Sequence, residues 1–585
     1  MTSDDSSSLL AEAARLATAG DAAGAFGVYR DCARRHPLCA PAWLGMSDLL
    51  VARGDDGAAT QVMSHAMAAL ADDDAGRALI APAFADRLAG LRPDAWHASL
   101  DRDLLALWRE PGIERQRLAR ITALTLVAKP DTGGEAEAVL DRIATDPLWL
   151  AFLSGCLNVD AAMEARLVVL RHALLDAHAA GAPLAGRSGL ACALALQAFA
   201  GEYVWPIADD EAAPLARAAA QADDDLDALL LTCLYRPPQE LAPSDAMIAR
   251  LEALGDAGRL LAQRTLNDLR TEAGLARTVP TLQGGDGAMD AVSIAVRAQY
   301  EANPYPRWAA PPQPRPMSLR DHVATLPKVD VGRLPAGPLR VLIAGCGTGY
   351  EAVDMARMDP TLAITALDLS RASLAYGARM AQALGVANIA FRHGNILDLS
   401  ARAPTFDVAT STGVLHHMDE PAAGLRAIAH AVKPGGVVRI ALYSERARAP
   451  VVAAHDLIRS LGLRPTPDGV RAFRSRVLAA PAGSPLAALQ TSDDLYSISG
   501  CRDLAFHAHE RRFTLPQAGA LLAAAGLALI GLDAPPPAIA AFQRSCGAGA
   551  DRLDLALWDR VEARHPFLFV GMYALWGQKA GGPIS

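Results

Sequence analysis

Lysine is almost missing from this chain. Of 55 basic residues, only Lys129, Lys328, Lys433 and Lys579 are not arginine. None of them sits in a G-x-x-x-x-G-K-[ST] loop, which excludes a Walker-type nucleotide hydrolase. A basic surplus is missing too, because 64 acidic residues leave a net charge of −9. A general binder of nucleic acid or anionic membrane needs the opposite balance, so neither partner is expected. The eight cysteines (32, 39, 156, 192, 233, 346, 501 and 546) include no C-x-x-C pair. Zinc ribbons, thioredoxin-like chemistry and a disulfide framework are thereby removed. Long hydrophobic runs are lacking: the longest, 188–201 and 518–532, fall short of the roughly eighteen residues that span a bilayer. The opening MTSDDSSSLL is acidic and has no basic region leading into an apolar stretch, so no secretory signal is read. The expectation is a soluble, cytoplasmic protein. With 585 residues, 51% of them hydrophobic, the chain holds material for about four packed domains and is not disordered as its main state.

Residues 1–285 read as helix after helix, with Leu, Val and Ile at three- and four-residue spacing and almost no period-2 alternation. One repeat is visible: Gly20-Asp21 with Ala25 recurs as Gly54-Asp55 with Ala59, an offset of 34 residues. Pro37, Trp43 and Gly54 also keep the spacing of tetratricopeptide repeats, and the likeness covers about residues 8–70. Each such unit is a helix pair that must stack on a neighbour to bury its apolar face. From 71 to 285 the helical character continues without a period. Cys156, Cys192 and Cys233 lie on apolar faces and read as core fillers.

The composition changes near 276. Residues 278–286 read as a linker, 288–301 as a helix, and 303–316 as an extended, proline-rich path. A boundary strap explains the prolines. It does not explain why Tyr300, Asn303, Tyr305, Arg307 and Trp308 gather two phenols, an amide, a guanidinium and an indole in nine residues. These five are candidates for a cap over a cofactor or substrate.

After 337 short apolar runs alternate with amphipathic helices, the mark of a parallel sheet with crossover helices. Strands are expected at 339–344, 362–367, 389–393, 406–410 and 436–443, with helices at 350–358, 371–384 and 421–432. Gly345-Cys346-Gly347-Thr348-Gly349 forms a tight turn after the first strand, where backbone can approach an anionic ligand closely. A dinucleotide fingerprint needs a third glycine where Tyr350 stands, so hydride chemistry on NAD is disfavoured. Asp368 ends the second strand, placed to accept hydrogen bonds from ribose hydroxyls.

Together VLIAGCGTGYE (341–351), ALDLS (366–370), HGNILDL (393–399), FDVATSTGVLHHM (406–418) and 425–445 resemble the class I S-adenosylmethionine-dependent methyltransferases. Residues 513–532 and 565–576 are similar to that family's sixth and seventh strands. The whole chain resembles bacterial proteins that join tetratricopeptide-type helices to such a domain, with QYEANPYPRW (299–308) as the shared junction. The fold implied is an all-α tetratricopeptide-like half plus a Rossmann-like, seven-stranded α/β domain with a helical insertion. Its divisions are 1–70, 71–285, 286–336 and 337–585. The resemblance implies S-adenosylmethionine as cofactor, with Gly345, Cys346, Gly347, Thr348 and Gly349 under its methionine part. Asp368 and Leu369 would meet ribose and adenine, Asn395 and Ile396 would flank adenine, and Ser411, Thr412 and Gly413 would floor the methyl pocket. Two residues depart from the family: Ile343 stands where an acid often precedes the first glycine, and Asn395 where an Asp is common.

Methyl transfer from a sulfonium needs mainly proximity and orientation, with a base only where the acceptor must lose a proton. His416 and His417, just past the fourth strand, are the catalytic candidates. Residues 444–512 are inserted after the fifth strand, at the ligand edge of the sheet, and read as a substrate lid. In its first part, 444–480, arginines 446, 448, 459, 464, 471, 474 and 476 read as solvated faces or as capture of an acidic substrate. Tyr443, Tyr496, Arg502, His507, His509 and Glu510 are the substrate-contact candidates. His507-x-His509-Glu510 has ligand chemistry for a divalent ion but no matching cluster elsewhere, so no metal is expected. Three functions stand open: a methyltransferase whose helical half recruits a protein or peptide through 1–285, a small-molecule methyltransferase with an oligomerising helical half, and a scaffold that binds cofactor without turnover.

Overall fold

The computed structural model describes residues 3–130, 136–282, 289–309, 316–569 and 571–581. The chain divides into two units, Met1–Ala262 and Gln263–Ser585. No helix among the described residues is long and apolar enough to cross a membrane.

The first unit is helical. The 34-residue repeat is a repeat of structure: α1 (Ser3–Thr18) and α2 (Ala22–Arg35) are followed by α3 (Ala40–Ala52) and α4 (Asp56–Ala69). Both turns are built alike. Gly20 and Gly54 take φ of 84° and 79°, which ends the first helix of each pair. Asp21 and Asp55 then cap the second, accepting from Gly24 N at 2.9 Å and Ala58 N at 3.0 Å. Cys32, Ala33, Ala42 and Met46 form the core between the pairs. Farther along, Cys156, Cys192 and Cys233 are buried, and burial pushes the Cys192 thiol up to about 12, which suits packing rather than reactivity.

The unit boundary falls after Ala262, not at 285 as the sequence suggested. The helix Asp268–Thr278 belongs to the second unit, where Asp268 and Glu272 pair with Arg379 at 3.1 and 2.8 Å. The stretch read as a linker is also part of that unit as far as it is described. Leu282 N donates to His393 O at 2.7 Å, and His393 N donates to Pro280 O at 2.9 Å. The strand they cover is at the edge of the sheet, where backbone groups otherwise lack partners. Residues 283–286 of that linker, and Pro311, Pro312 and Pro314, lie outside the described residues. The next helix runs Ala291–Ala302, with Asp290 as its cap.

Seven strands form one sheet: β1 (Arg340–Ala344), β2 (Ala363–Asp368), β3 (Ile389–His393), β4 (Phe406–Thr412), β5 (Val432–Tyr443), β6 (Leu527–Asp533) and β7 (Met572–Lys579). Their order is β3-β2-β1-β4-β5-β7-β6. The first five are parallel, and β7 runs antiparallel between β5 and β6. Helices cover both faces, so β1 is apolar from Val341 to Ala344, while β4 also buries Asp407, Thr410 and Ser411. Val341 and Ile343 face one core, and Leu342 and Ala344 face the other. β5 begins four residues earlier than its sequence pattern suggested, across Lys433-Pro434-Gly435, where its pairing with β4 shifts register. The strand order reverses between β1 and β4, which opens a crevice at their carboxyl ends.

The insertion 444–512 is helical, with helices Ala449–Leu461, Pro467–Leu478, Pro485–Ala488 and Ile498–Ala505. Five of the seven arginines in its first part, 444–480, have partners within the protein. Arg446 pairs with Asp559, Arg448 with Glu510, Arg459 with Asp456 and Arg471 with Asp468, while Arg474 is buried and donates to Leu495 O. Arg464 and Arg476 are exposed. None of the seven lines the crevice.

Candidate active site

Between β1 and the helix Tyr350–Met358 the chain turns through Gly345, Gly347 and Gly349, with φ of 81°, 52° and 79°. Two of these positions exclude any side chain on contact grounds as well. A Cβ on Gly345 would lie 2.4 Å from Val414, and one on Gly347 would lie 2.9 Å from the carbonyl oxygen of Tyr305. Gly345 N and Cys346 N donate to Leu367 O at 2.8 and 2.9 Å, which ties the turn to β2. Asp368 closes the link: one carboxylate oxygen accepts from Gly347 N and the other from Ser370 N, both at 2.8 Å. Burial raises its carboxyl to about 6, and those N–H donors restrain it from rising further.

A cavity of about 330 Å³ opens at this point. Of the residues named from sequence, Gly345, Cys346, Gly347, Asp368, Leu369, Asn395, Ile396, Thr412 and Gly413 line it. Thr348, Gly349 and Ser411 stand behind the lining. Thr348 Oγ1 donates to Pro306 O, Ser411 Oγ donates to Ala344 O at 3.0 Å, and Gly349 packs on Phe391 and Gly377. The amide oxygen of Asn395 caps the next turn at Leu397 N, 3.0 Å away. Sequence reasoning missed Glu351, Val414, Met418, Asp503, Met572 and Ser293, all of which line the cavity. Glu351, Val414 and Met418 lay inside recognised motifs and were findable there. Met572 lay within the recognised segment 565–576, while Ser293 carried no signal.

The junction motif is a clasp within the second unit. Tyr300 and Tyr305 line the cavity, while Asn303, Arg307 and Trp308 do not. Tyr305 donates to Asp494 at 2.7 Å, Asn303 accepts from Arg502, and Gln299 accepts from Ala508 N at 3.3 Å. Trp308 is buried under the glycine turn. Its indole N–H donates to Thr348 O at 3.3 Å, and its ring meets Tyr350 and Tyr376 edge-on at 5.6 and 6.0 Å. Arg307 lies 6.0 Å from the Tyr376 ring centre.

The two candidate bases differ in place. His417 lines the cavity, and His416 does not. His416 is wholly buried, both of its ring nitrogens lack hydrogen-bond partners, and it lies 4.0 Å from the Tyr443 ring. Burial holds both imidazoles far below their usual range, so each is neutral and a weak proton acceptor at pH 7. His417 stacks on His507 at 3.5 Å, and the Nδ1 of each lies 2.7 Å from the same carbonyl, His509 O. That shared acceptor draws the hydrogen to Nδ1 in both rings, its 2.7 Å contact with His507 being closer than the 3.2 Å approach of His509 N to the same nitrogen. His507 is also neutral, with burial pushing it down to about 4. His417, Asp503 and His507 each offer an atom within 4.8 Å of the others. The imidazole planes are only 19° apart, however, so their in-plane lone pairs do not converge on one ion. His509 contributes to this group through its backbone carbonyl. Of the remaining substrate candidates, Tyr443 lines the cavity. Tyr496 donates to Gln490 O, Arg502 to Asn303, and Glu510 accepts from Arg448, so these three serve the packing of the insertion.

A glycine turn after β1, a carboxylate ending β2 and a cavity at the strand-order reversal define a Rossmann-like domain built for a nucleoside-type cofactor. Residues 341–436 match the family model described as a methyltransferase domain, and with that match the segment is a methyltransferase domain whose cofactor is S-adenosylmethionine. An uncharacterized protein of Synechococcus sp. is 36% identical over 175 residues, covering 29% of this chain and 42% of that protein. A ubiquinone biosynthesis O-methyltransferase of Paracidovorax citrulli is 34% identical over 135 residues, 23% of this chain and 56% of that protein. The chain thus spans about half the length of these curated relatives. Among solved structures, PKMT2 from Rickettsia typhi in complex with AdoHcy is 15% identical with a TM-score of 0.33, covering 42% of this chain and 50% of that one.

Proposed function

We propose that the whole chain is an S-adenosylmethionine-dependent methyltransferase whose helical first unit, of tetratricopeptide type, recruits a protein or peptide acceptor. The observation that carries the catalytic part is a shared cavity. Gly345, Gly347, Asp368 and Asn395 line it together with Tyr300, Tyr305, His417, Tyr443 and Asp503. A cofactor end and an acceptor end therefore occupy one space. The 34-residue pairing of α1–α2 with α3–α4 supports the recruiting role, since stacked helix pairs offer extended binding surfaces.

The bound cofactor supplies an already activated methyl group, which leaves the protein mainly proximity and orientation to provide. Each oxygen of Asp368 keeps a lone pair after accepting from backbone, enough for two ribose hydroxyls. Ile343 is buried in an apolar core and cannot meet the cofactor's ammonium, so Glu351, on the cavity wall, takes that part. The O-methyltransferase relatives favour a second reading in which the acceptor atom is a hydroxyl oxygen.

Calorimetry with S-adenosylhomocysteine tests the cofactor part. Asp368→Ala is expected to weaken binding at least tenfold, about 1.4 kcal/mol, and unchanged affinity removes the ribose assignment. Gly347→Val should act more strongly. It sets a β-branched residue at φ 52° and presses on the Tyr305 carbonyl, so the turn and the clasp must part. A loss of about a hundredfold in the same titration is expected, near 2.8 kcal/mol. Labelled S-adenosylmethionine, added with the protein to a lysate from a strain lacking it, tests turnover. Transfer to a macromolecular fraction supports recruitment, transfer to a small molecule supports an oligomerising first unit, and binding without any transfer favours the scaffold.

A further inference from the structure

We infer that the methyl acceptor is an aliphatic amine, which enters the cavity as an ammonium ion and gives its proton to Asp503. The inference rests on the methyltransferase reading above and adds the substrate class and a catalytic residue to it.

Charge is the first observation. The described cavity lining carries three carboxylates, Glu351, Asp368 and Asp503, and no lysine or arginine. Glu351 and Asp368 stand at the cofactor end, while Asp503 shares its end with Tyr300, Tyr305 and Tyr443. The nearby guanidinium groups are committed elsewhere, Arg448 to Glu510, Arg446 to Asp559 and Arg502 to Asn303. An anionic acceptor would meet buried carboxylate with no cation on the described cavity wall to pair it, which is costly. A neutral hydroxyl would draw little from that charge, whereas an ammonium ion would be paired by it.

The second observation is a hydrogen-bond network with room for one more proton. Tyr300 O–H donates to Asp503 Oδ1 at 2.6 Å, and His507 Nε2 lies 3.2 Å from the same hydroxyl. Because His507 spends its one ring hydrogen on His509 O, its Nε2 is an acceptor. A single hydroxyl hydrogen cannot serve both Asp503 and His507. With Asp503 ionised, the hydrogen goes to the carboxylate and the link to His507 is unmade. When Asp503 takes a proton, its own O–H can donate to the Tyr300 oxygen, and Tyr300 turns its hydrogen to His507. Both links are then made. Burial and Asp494 raise the Asp503 carboxyl to about 7, while the Tyr300 bond and Arg448 pull it down. A group so poised is suited to accept a proton near neutral pH.

In the step itself an N–H bond of the ammonium breaks, its proton bonds to an Asp503 oxygen, and the electron pair stays on nitrogen. That pair forms the new bond to the methyl carbon, and the carbon–sulfur pair leaves with sulfur. The products are a methylated ammonium, the neutral thioether S-adenosylhomocysteine and a protonated Asp503. The single net positive charge is the same before and after.

The test uses the full chain saturated with S-adenosylhomocysteine and titrated in a calorimeter with n-butylamine, n-butanol or butyrate. Butylamine is expected to bind at least tenfold tighter than either of the others. Asp503→Asn should weaken butylamine at least tenfold while S-adenosylhomocysteine affinity stays within twofold. Butanol or butyrate binding as well as butylamine would overturn the inference, as would an Asp503→Asn protein that binds butylamine like the parent. If that variant does not fold, the ranking of the three probes on the unaltered chain decides. Failure of S-adenosylhomocysteine itself to bind would overturn the cofactor reading and the amine inference with it.

Discussion

Replacing Trp308 with alanine is expected to cost the second unit about 3–5 kcal/mol of stability, the range for removing a buried tryptophan. The indole is only 8% exposed and belongs to the core that also holds Val341, Ile343, Tyr376 and Phe391. Its loss leaves a cavity beside Tyr350 and Tyr376 and leaves Thr348 O without the indole donor. The backbone N and O of residue 308, which both bond the Tyr376 hydroxyl, are kept in the variant, so the loss is one of indole packing and its one hydrogen bond. Urea unfolding, followed on the transition of the second unit, should show a lower midpoint with little change in slope. Trp308→Phe should recover part of the loss. Since Tyr305 rather than Trp308 lines the cavity, S-adenosylhomocysteine affinity measured well below the midpoint should change far less than stability. A variant that keeps its midpoint and loses affinity would make Trp308 a direct cofactor contact.

Arg448→Ala is expected to be of similar size, about 3–5 kcal/mol, for an electrostatic reason. The guanidinium side chain is 9% exposed and its partner Glu510 only 2%. Truncating Arg448 leaves a carboxylate buried without its main counter-charge, since Arg512 stands 4.0 Å from it. The same change withdraws a cation lying 3.9 Å from the Tyr443 ring centre and a donor to Leu504 O. Breaking one side of a buried pair is costly, yet replacing both sides by apolar residues often is not. Arg448→Met with Glu510→Leu should therefore unfold nearer the parent than Arg448→Ala does. If the double variant is the less stable of the two, the pair contributes more than it costs, and the asymmetry argument fails for this site.

Much of the second unit was legible because its constraints are local. β1 and β2 are short, mainly apolar runs between turn residues, as burial in the middle of a covered sheet requires. Gly345 and Gly347 announce backbone that no other residue adopts comfortably, and Asp368 is tied to them through the neighbouring strand. The repeat at 34 residues was legible for the same kind of reason, as a glycine that ends one helix and an aspartate that caps the next. The segment 280–282 was misread as a free linker because nothing in its residues shows that β3 is an edge strand in need of partners. His416 and His417 looked alike as neighbours in sequence, and only packing separated the one inside the core from the one on the cavity wall. The seven arginines of 444–480 read equally as solvated faces or as substrate capture until five of them were matched with partners in the fold.

The sequence by itself thus determined the helical first unit, the parallel strands β1 to β5 and the glycine-turn end of the cavity. In each, the deciding interactions join residues close in the chain or strands of unmistakable pattern. Only the tertiary structure decided the other end of the cavity. Tyr300 and Asp503 are 203 residues apart and Tyr305 and Asp494 are 189 apart, yet each pair shares a hydrogen bond at the cavity. No periodicity or spacing encodes such meetings, because the residue chosen at one position depends on a partner that arrives only when the insertion folds onto the sheet edge.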